Sequence, residues 1–264
     1  NWAFVDNQPF VPDPDKSVEL NRGAYLVQGL GHCGSCHTPR GIAFQEKAMS
    51  DDGSAGKHYL AGETVEHWRA LSLRNLWTVE DTVQLLKAGQ NRFATVSGNM
   101  ADVIHHSTQH FTDADLTAIA SYLKSLPAGK DDLPMPAVAI TPAKAPDTLY
   151  SSRGGLGYTQ FCADCHRPDG GGVKGMFPPL NGNPGIVAAN PTTLLHITLT
   201  GWKTPQTATH PRVYTMPGFA RLGDDEIAEI LSFVRSSWGN AAPAIKPGQV
   251  AQMRKQLNPE TVDE

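Results

Sequence analysis

The chain has 264 residues, of which 40% are hydrophobic and 18% are charged, and this composition excludes a disordered or fibrous protein. Its net charge of −4 argues against a nucleic-acid-binding protein, so we expect no nucleic acid among its partners. No apolar run approaches the roughly 20 residues that a membrane-spanning helix needs.

The first half of the chain predicts three helices arranged around a cysteine motif. The helix SVELNRGAYLVQG ends just before the pentapeptide CGSCH. In WTVEDTVQLLKAG, Thr78 and Asp81 have the spacing of a capping box, and Gly89 is the expected stop. Met100 follows in a predicted loop. The periodic segment TDADLTAIASYLKSLP, with apolar residues at i, i+3, i+4 and i+7, then closes this half.

The same order repeats after a proline-rich segment that predicts an extended linker. A helix SSRGGLGYTQF precedes the pentapeptide CADCH, and NPTTLLHITLTG follows with Asn190 as the expected N-cap and Gly201 as the stop. Met216 lies in a predicted loop before the closing helix GDDEIAEILSFVRSS. The C-terminal PGQVAQMRKQL predicts a short helix that packs on its own half rather than on a membrane.

Glycines in the helix before each cysteine motif indicate close helix packing. Gly23, Gly154 and Gly155 lower the stability of their helices. Glycine is nevertheless expected where another helix packs directly against the backbone, because it has no side chain. We therefore expect each closing helix to dock on the glycine-bearing helix of its own half.

All four cysteines of the chain belong to the two pentapeptides. A shared zinc site commonly has about 15–20 residues between its pairs, but about 125 residues separate Cys36 from Cys162. A thioredoxin-like pair follows a strand, and neither motif does. It also has no use for a histidine after the second cysteine.

The pattern C-x-x-C-H is typical of covalent haem c attachment. The two thiols add across the two vinyl groups of haem, and the next histidine ligates the iron. The sequence therefore predicts two haems c. The expected attachment residues are Cys33, Cys36, Cys162 and Cys165, and the expected iron ligands are His37 and His166.

A proline stands two residues after each of these histidines. A metal-ligating histidine usually donates its second ring N–H to a carbonyl or carboxylate. We expect the turns at Pro39 and Pro168 to present that carbonyl.

The opposite axial ligand in an electron carrier is usually methionine or histidine. Met100 and Met216 occupy matching places ahead of the closing helices, so they are the predicted ligands, with His105 or His106 as the alternative at the first iron. His58, His67, His196 and His210 are interpreted as surface or hydrogen-bonded structural residues.

Several longer phrases resemble the cytochrome c subunit of membrane-associated bacterial dehydrogenases, which oxidise alcohols, sugars or sugar acids. They are NRGAYLVQGLGHCGSCHTPRG, MADVIHHSTQHFTDADLTAIASYLKSLP, MFPPLNGNP and YTMPGFARLGDDEIAEILSFVRSSWGN. The resemblance implies an all-α fold of two tandem class I cytochrome c domains joined by a proline-rich linker. It assigns Cys33, Cys36, His37 and Met100 to one haem, and Cys162, Cys165, His166 and Met216 to the other.

The resemblance also implies a function without catalysis by the chain itself. Such a subunit takes electrons from a dehydrogenase that carries pyrroloquinoline quinone or flavin and passes them toward ubiquinone or another acceptor. The expected location is the periplasm, at the outer face of the inner membrane through the complex. The alternatives are a haem enzyme such as a dihaem peroxidase, and a stand-alone soluble electron shuttle.

Members of this family typically carry three haem motifs, and the two here resemble the second and third. Residues 1–16 resemble the connector after a first haem domain, with Trp2, Phe4, Val5 and Phe10 packing in the seam between domains. The predicted organisation continues with a haem domain at 17–127, the linker at 128–148 and a second haem domain with a C-terminal extension at 149–264. We expect two haems on this chain and a third from elsewhere in the functional assembly.

Overall fold

A computed structural model describes residues 9–128 and 144–257. Over these ranges the chain is mainly helical, with two short two-stranded antiparallel sheets. None of the helices in these ranges is both long and apolar enough to cross a membrane. Trp2, Phe4, Val5 and most of the predicted linker lie outside the described residues.

The first half contains five α-helices and one hairpin. The helices are α1 (Val18–Tyr25), α2 (Gly34–His37), α3 (Val79–Ala88), α4 (Asn99–His106) and α5 (Asp113–Ser125). A π-helical turn (Leu26–Leu30) continues α1, and 3₁₀ turns lie at Gly56–His58 and Thr108–His110. The hairpin pairs β1 (Glu63–Val65) with β2 (Trp68–Ala70), and Val65 faces Trp68.

The second half follows the same plan with additional helices. A 3₁₀ turn (Asp147–Tyr150) precedes the first helix of this half. The helices are α6 (Arg153–Phe161), α7 (Ala163–His166), α8 (Pro184–Val187), α9 (Thr192–Thr200), α10 (Asp224–Ser236) and α11 (Pro247–Gln256). A second small sheet pairs β3 (Trp202–Lys203) with β4 (Thr215–Met216), with Trp202 opposite Met216. The all-α prediction is thus right for the helices and misses both sheets, whose strands of two or three residues are too short to show an alternating pattern.

The predicted helix ends agree with the structure at α3 and shift slightly at α9. Thr78 Oγ1 accepts the N–H of Asp81 at 3.1 Å, and Gly89 ends α3 with a φ of 74°. Asn190 Oδ1 accepts the N–H of Thr192 at 3.0 Å, but the N-cap position belongs to Pro191, one residue later than predicted.

Glycines allow the close helix packing that the sequence predicts. A Cβ at Gly23 of α1 would clash with the carbonyl oxygen of Ala118 in α5. A Cβ at Gly154 of α6 would clash with the carbonyl oxygen of Glu229 in α10. A Cβ at Gly155 would instead meet the backbone of the preceding turn, 2.5 Å from Leu149 O. Each closing helix therefore docks on the glycine-bearing helix of its own half, as predicted.

Each half has its own hydrophobic core. The first core includes Ala24, Leu26, Val27, Tyr59, Leu60, Ile119, Tyr122, Leu123 and Leu126. The second core includes Leu149, Tyr158, Leu195, Leu199, Ile227, Leu231, Val234, Val250, Met253 and Leu257. Because the last three residues come from α11 and its end, this helix packs on its own half, as predicted.

A buried arginine ties loops to each core. Arg74 in the first half donates to the carbonyls of Gly56 (2.9 Å) and Tyr59 (2.8 Å). Arg235 in α10 is 1% exposed and donates to the carbonyls of Pro243 (2.7 Å), Ile186 (2.5 Å) and Ala188 (3.0 Å). Both arginines thus satisfy backbone acceptors that burial removes from water.

The two halves touch through an aromatic junction formed by Trp68, His196 and Trp202. The rings of Trp68 and His196 stack with centroids 3.9 Å apart, and those of Trp68 and Trp202 meet edge to face at 5.3 Å. His196 Nδ1 also lies 3.1 Å from the carbonyl oxygen of His67. This agrees with the structural role expected for His196.

Candidate haem sites

The first pentapeptide forms a single helical turn that brings its three functional side chains together. Cys33 precedes α2, and its carbonyl accepts the N–H groups of Cys36 (3.3 Å) and His37 (3.0 Å). Cys33 packs against the first core, and burial raises the pKa of its thiol to about 11. The sulfur therefore stays a neutral thiol near neutral pH.

The second pentapeptide repeats this geometry. The carbonyl of Cys162 accepts the N–H groups of Cys165 (3.3 Å) and His166 (2.9 Å). Burial against the second core raises the pKa of Cys162 to about 12. None of the four cysteines takes part in a disulfide.

Both candidate iron ligands have one ring nitrogen occupied by a backbone carbonyl. His37 Nδ1 lies 2.7 Å from Leu71 O, and His166 Nδ1 lies 3.0 Å from Pro178 O. Because a carbonyl only accepts, Nδ1 carries the hydrogen and Nε2 keeps its lone pair. Desolvation lowers the pKa of both imidazoles, which favours the neutral form that binds a metal.

These two carbonyls correct the expectation for Pro39 and Pro168. The carbonyl of Pro39 accepts the backbone N–H of Lys47 at 2.9 Å, and that of Pro168 accepts the indole N–H of Trp238 at 3.0 Å. The histidine partners lie farther along the chain, in loops that fold back over each pentapeptide. The phrase MFPPLNGNP contains Pro178, whereas no sequence signal indicates Leu71.

The predicted methionine ligands occupy different local structures. Met100 lies in the first turn of α4, not in the predicted loop, because Gly98 caps this helix with a φ of 59°. Met216 lies in β4 opposite Trp202. Both methionines are half-buried, whereas the alternatives His105 and His106 are exposed on α4.

An unpaired buried hydroxyl indicates that the first half can accommodate haem. Across the described ranges, two buried side-chain atoms have no hydrogen-bond partner: Tyr59 Oη in the first half and Asn181 Oδ1 in the second. An unpaired buried polar group costs about 1–3 kcal/mol. Tyr59 belongs to the core that contacts Cys33, and burial raises its pKa, so its hydroxyl remains a donor. Haem carries carboxylate groups that such a donor can bind, so Tyr59 fits this cofactor. In the second half the fit rests on Cys162, Cys165 and His166.

Comparison with known proteins supports the assignment. The cytochrome c family profile matches residues 151–238. Cytochrome c-552 of Thermus thermophilus is 32% identical over 114 residues, which cover 40% of this chain and 76% of that protein. The chain belongs to the cytochrome c family. Membership implies covalently bound haem c with its iron.

Two longer relatives of this cytochrome c match nearly its whole length. The cytochrome c subunit of alcohol dehydrogenase (quinone) from Gluconacetobacter polyoxogenes is 42% identical over 93% of the chain. The gluconate 2-dehydrogenase cytochrome c subunit from Pantoea cypripedii is 40% identical over 96% of it. The chain spans 54% and 61% of these relatives' lengths. The resemblance to dehydrogenase cytochrome c subunits is thus confirmed.

Proposed function

We propose that this cytochrome c binds two haems and transfers electrons from a dehydrogenase partner toward ubiquinone or another acceptor. The observation that carries the proposal is the repeated site: a C-x-x-C-H turn whose histidine donates Nδ1–H to a backbone carbonyl. The haem iron supplies one-electron chemistry between Fe(II) and Fe(III). The protein supplies attachment, neutral imidazole ligands and a desolvated surrounding.

The proposed ligand sets follow the two halves. The first consists of Cys33, Cys36, His37 and Met100, and the second of Cys162, Cys165, His166 and Met216. The separate cores support tandem haem domains at 17–127 and 149–264, joined by a linker at 128–148 and preceded by a connector at 1–16. In these sets the thioether of methionine raises the reduction potential, which favours acceptance of electrons from a reduced organic cofactor.

The names of the relatives support a dehydrogenase partner. We propose that this partner carries pyrroloquinoline quinone or flavin. In this assignment the chain works in the periplasm, at the outer face of the inner membrane through its complex. The need for a third haem from elsewhere in the assembly stays a prediction.

Haem content and ligation test the proposal directly. We expect two covalent haems per chain and, in the oxidised protein, a thioether–iron charge-transfer band at about 695 nm that accounts for both. A dihaem peroxidase would instead show one iron without this band. Affinity purification from the native host should recover a large dehydrogenase subunit, and a stand-alone shuttle would be recovered without one.

A further inference from the structure

We infer that Trp68 and Trp202 are positioning residues that hold the two haem sites against each other for electron transfer between them. This inference rests on the proposed function, since it requires a haem in each half. It concerns residues outside both C-x-x-C-H motifs and outside the proposed ligand sets.

Trp68 contacts the elements that carry both proposed ligands of the first site. It lies on β2, which runs directly into Leu71, the residue whose carbonyl accepts from His37 at 2.7 Å. On another side, its ring covers Gly98, where a Cβ would lie 2.5 Å from the indole. Gly98 is the cap of α4 and comes two residues before Met100. Trp68 therefore adjoins the supports of both His37 and Met100 and ties them to its position as one unit.

Trp202 occupies the corresponding place at the second site. It is the cross-strand partner of Met216 in the β3–β4 pair. Its indole N–H donates to the carbonyl of Val96 in the first half at 3.2 Å. The same ring packs on the apolar cluster that includes Val96 and Met100. Trp202 thus joins the strand of one proposed ligand to the surroundings of the other.

The contact between the two indoles is fixed by further interactions across the halves. The Trp68 and Trp202 centroids are 5.3 Å apart at 65°, a favourable edge-to-face arrangement. The ring of His196 stacks on the ring of Trp68. The backbone N–H of Arg69, next to Trp68 on β2, donates to Thr193 Oγ1 of the second half at 2.7 Å. A tight aromatic contact with cross-half hydrogen bonds on the same strand leaves little freedom for the halves to shift.

The role assigned here is positional and needs no chemistry at the rings. Haems bound at the two sites would supply the exchange: one iron would be oxidised from Fe(II) to Fe(III) as the other is reduced from Fe(III) to Fe(II). Neither tryptophan changes its oxidation state. Since electron transfer slows steeply with separation, residues that fix the approach of the two sites set the rate of exchange.

The test uses the full chain with both haems and measures exchange after sub-stoichiometric flash reduction. The variants are Trp68→Ala and Trp202→Ala, with Trp68→Phe and Trp202→Phe to restore a ring. Phe10→Ala is the control, because Phe10 packs in the first half edge to face on Tyr25 and lies outside the junction. Haem content, the charge-transfer band and calorimetric unfolding are recorded for every variant.

We expect the alanine variants to keep two haems and both methionine bands but to exchange electrons about tenfold more slowly or worse, since a misplacement of about 1 Å between reacting groups costs up to ~100-fold in rate. Their two halves should unfold in separate transitions, whereas the parent unfolds in one. The phenylalanine variants should recover most of the rate. Phe10→Ala should lower the melting temperature and leave the rate unchanged.

Unchanged exchange in both alanine variants would overturn the inference while leaving the proposed function intact. A parent chain with fewer than two haems would overturn both. If an alanine variant does not accumulate with both haems, His196→Leu replaces it, because this change removes the stacked ring from a half-exposed position. A normal rate and a single unfolding transition in His196→Leu would then overturn the positioning role.

Discussion

His37 and His166 are the residues on which both candidate sites depend. Each is neutral, desolvated and fixed in one tautomer by a backbone carbonyl, so each offers Nε2 to a metal. The carbonyls of Leu71 and Pro178 therefore fix the protonation state as well as the position of the ring. Replacing a side chain at Leu71 or Pro178 leaves this contact available, because the acceptor is main chain.

Removing the thioether of Met216 tests the second proposed ligand set. We expect Met216→Ala to keep both covalent haems, to lower the potential of one haem only, and to let carbon monoxide bind that reduced iron. Loss of a methionine ligand lowers the potential of a haem. Redox titration and carbon monoxide difference spectra give the answer. Met176→Ala is the control, since Met176 is 36% exposed; if Met216→Ala binds carbon monoxide no better than this control, another residue is the ligand.

His196 makes the aromatic junction sensitive to acid. Desolvation lowers the pKa of His196 from its ordinary value of 6.5, so the unfolded chain binds this proton more readily than the folded chain. The free energy of unfolding should therefore fall as pH decreases through about 6.5 toward the folded pKa. His196→Phe keeps a ring on Trp68 and should flatten this part of the pH profile in urea unfolding experiments. The exposed change His110→Phe should leave the profile as it is; an equal slope in parent and His196→Phe would refute the assignment.

At the level of secondary-structure elements, two helix pairs built around glycine define the halves. Gly23 and Gly154 each allow a closing helix to approach to backbone contact. We expect Gly23→Ala or Gly154→Ala to destabilise the protein by about 1–3 kcal/mol, because the added methyl group overpacks the crossing. Denaturant unfolding measures the effect.

The matched control for the glycine prediction is Gly248→Ala in α11, where an added Cβ meets nothing within 4 Å. This change should stabilise its helix by about 0.5–1 kcal/mol or leave it unchanged. If Gly23→Ala and Gly154→Ala had a free energy of unfolding as high as that of Gly248→Ala, the helices would have room to separate.

The buried arginines give a further prediction about how loops attach to helices. Arg235→Met should cost on the order of 3 kcal/mol or more, because each buried carbonyl that loses its donor costs about 1–3 kcal/mol. Arg153→Met is the surface control: its ion pair with Glu229 is exposed, and such pairs contribute about 0–1 kcal/mol. Thermal or urea unfolding of both variants compares them. Equal stabilities would mean that water replaces the guanidinium of Arg235.

The elements that the sequence predicted are those with local signals. Caps at Thr78 and Gly89, apolar periodicity in α5 and α10, and the C-x-x-C-H turns all depend on residues within a few positions of each other. The carbonyl partner of His37 lies 34 residues away and that of His166 lies 12 away, and neither involves a particular side chain. Met100 was expected in a loop because the cap of α4 is a glycine at positive φ, which sequence reasoning reads as a loop residue. The aromatic junction joins residues more than 100 positions apart, beyond the reach of any local pattern.

For the whole molecule, the repeated plan predicts that haem attachment in one half does not require the other. A chain with Cys162→Ala and Cys165→Ala should carry one haem and keep the charge-transfer band of the first site. The reciprocal variant, Cys33→Ala with Cys36→Ala, should keep only the second. Intact mass and visible spectra measure this outcome. Loss of both haems in either variant would show that the halves mature as one unit.

The hairpin β1–β2 belongs to the first half of the sequence, but its strand β2 contacts helix α9 of the second half. Its strand β2 supplies Trp68 to the junction and leads to the carbonyl that orients His37. If each half binds one haem as proposed, recombining halves from two related cytochrome c chains would join two haem-binding units whose contact surfaces do not match. Such chimaeras should bind both haems but exchange electrons slowly between them. The rate should recover when the hairpin β1–β2 comes from the same protein as the second half. Substitutions in β2, α9 and β3 are accordingly expected to accumulate in concert as such subunits diverge.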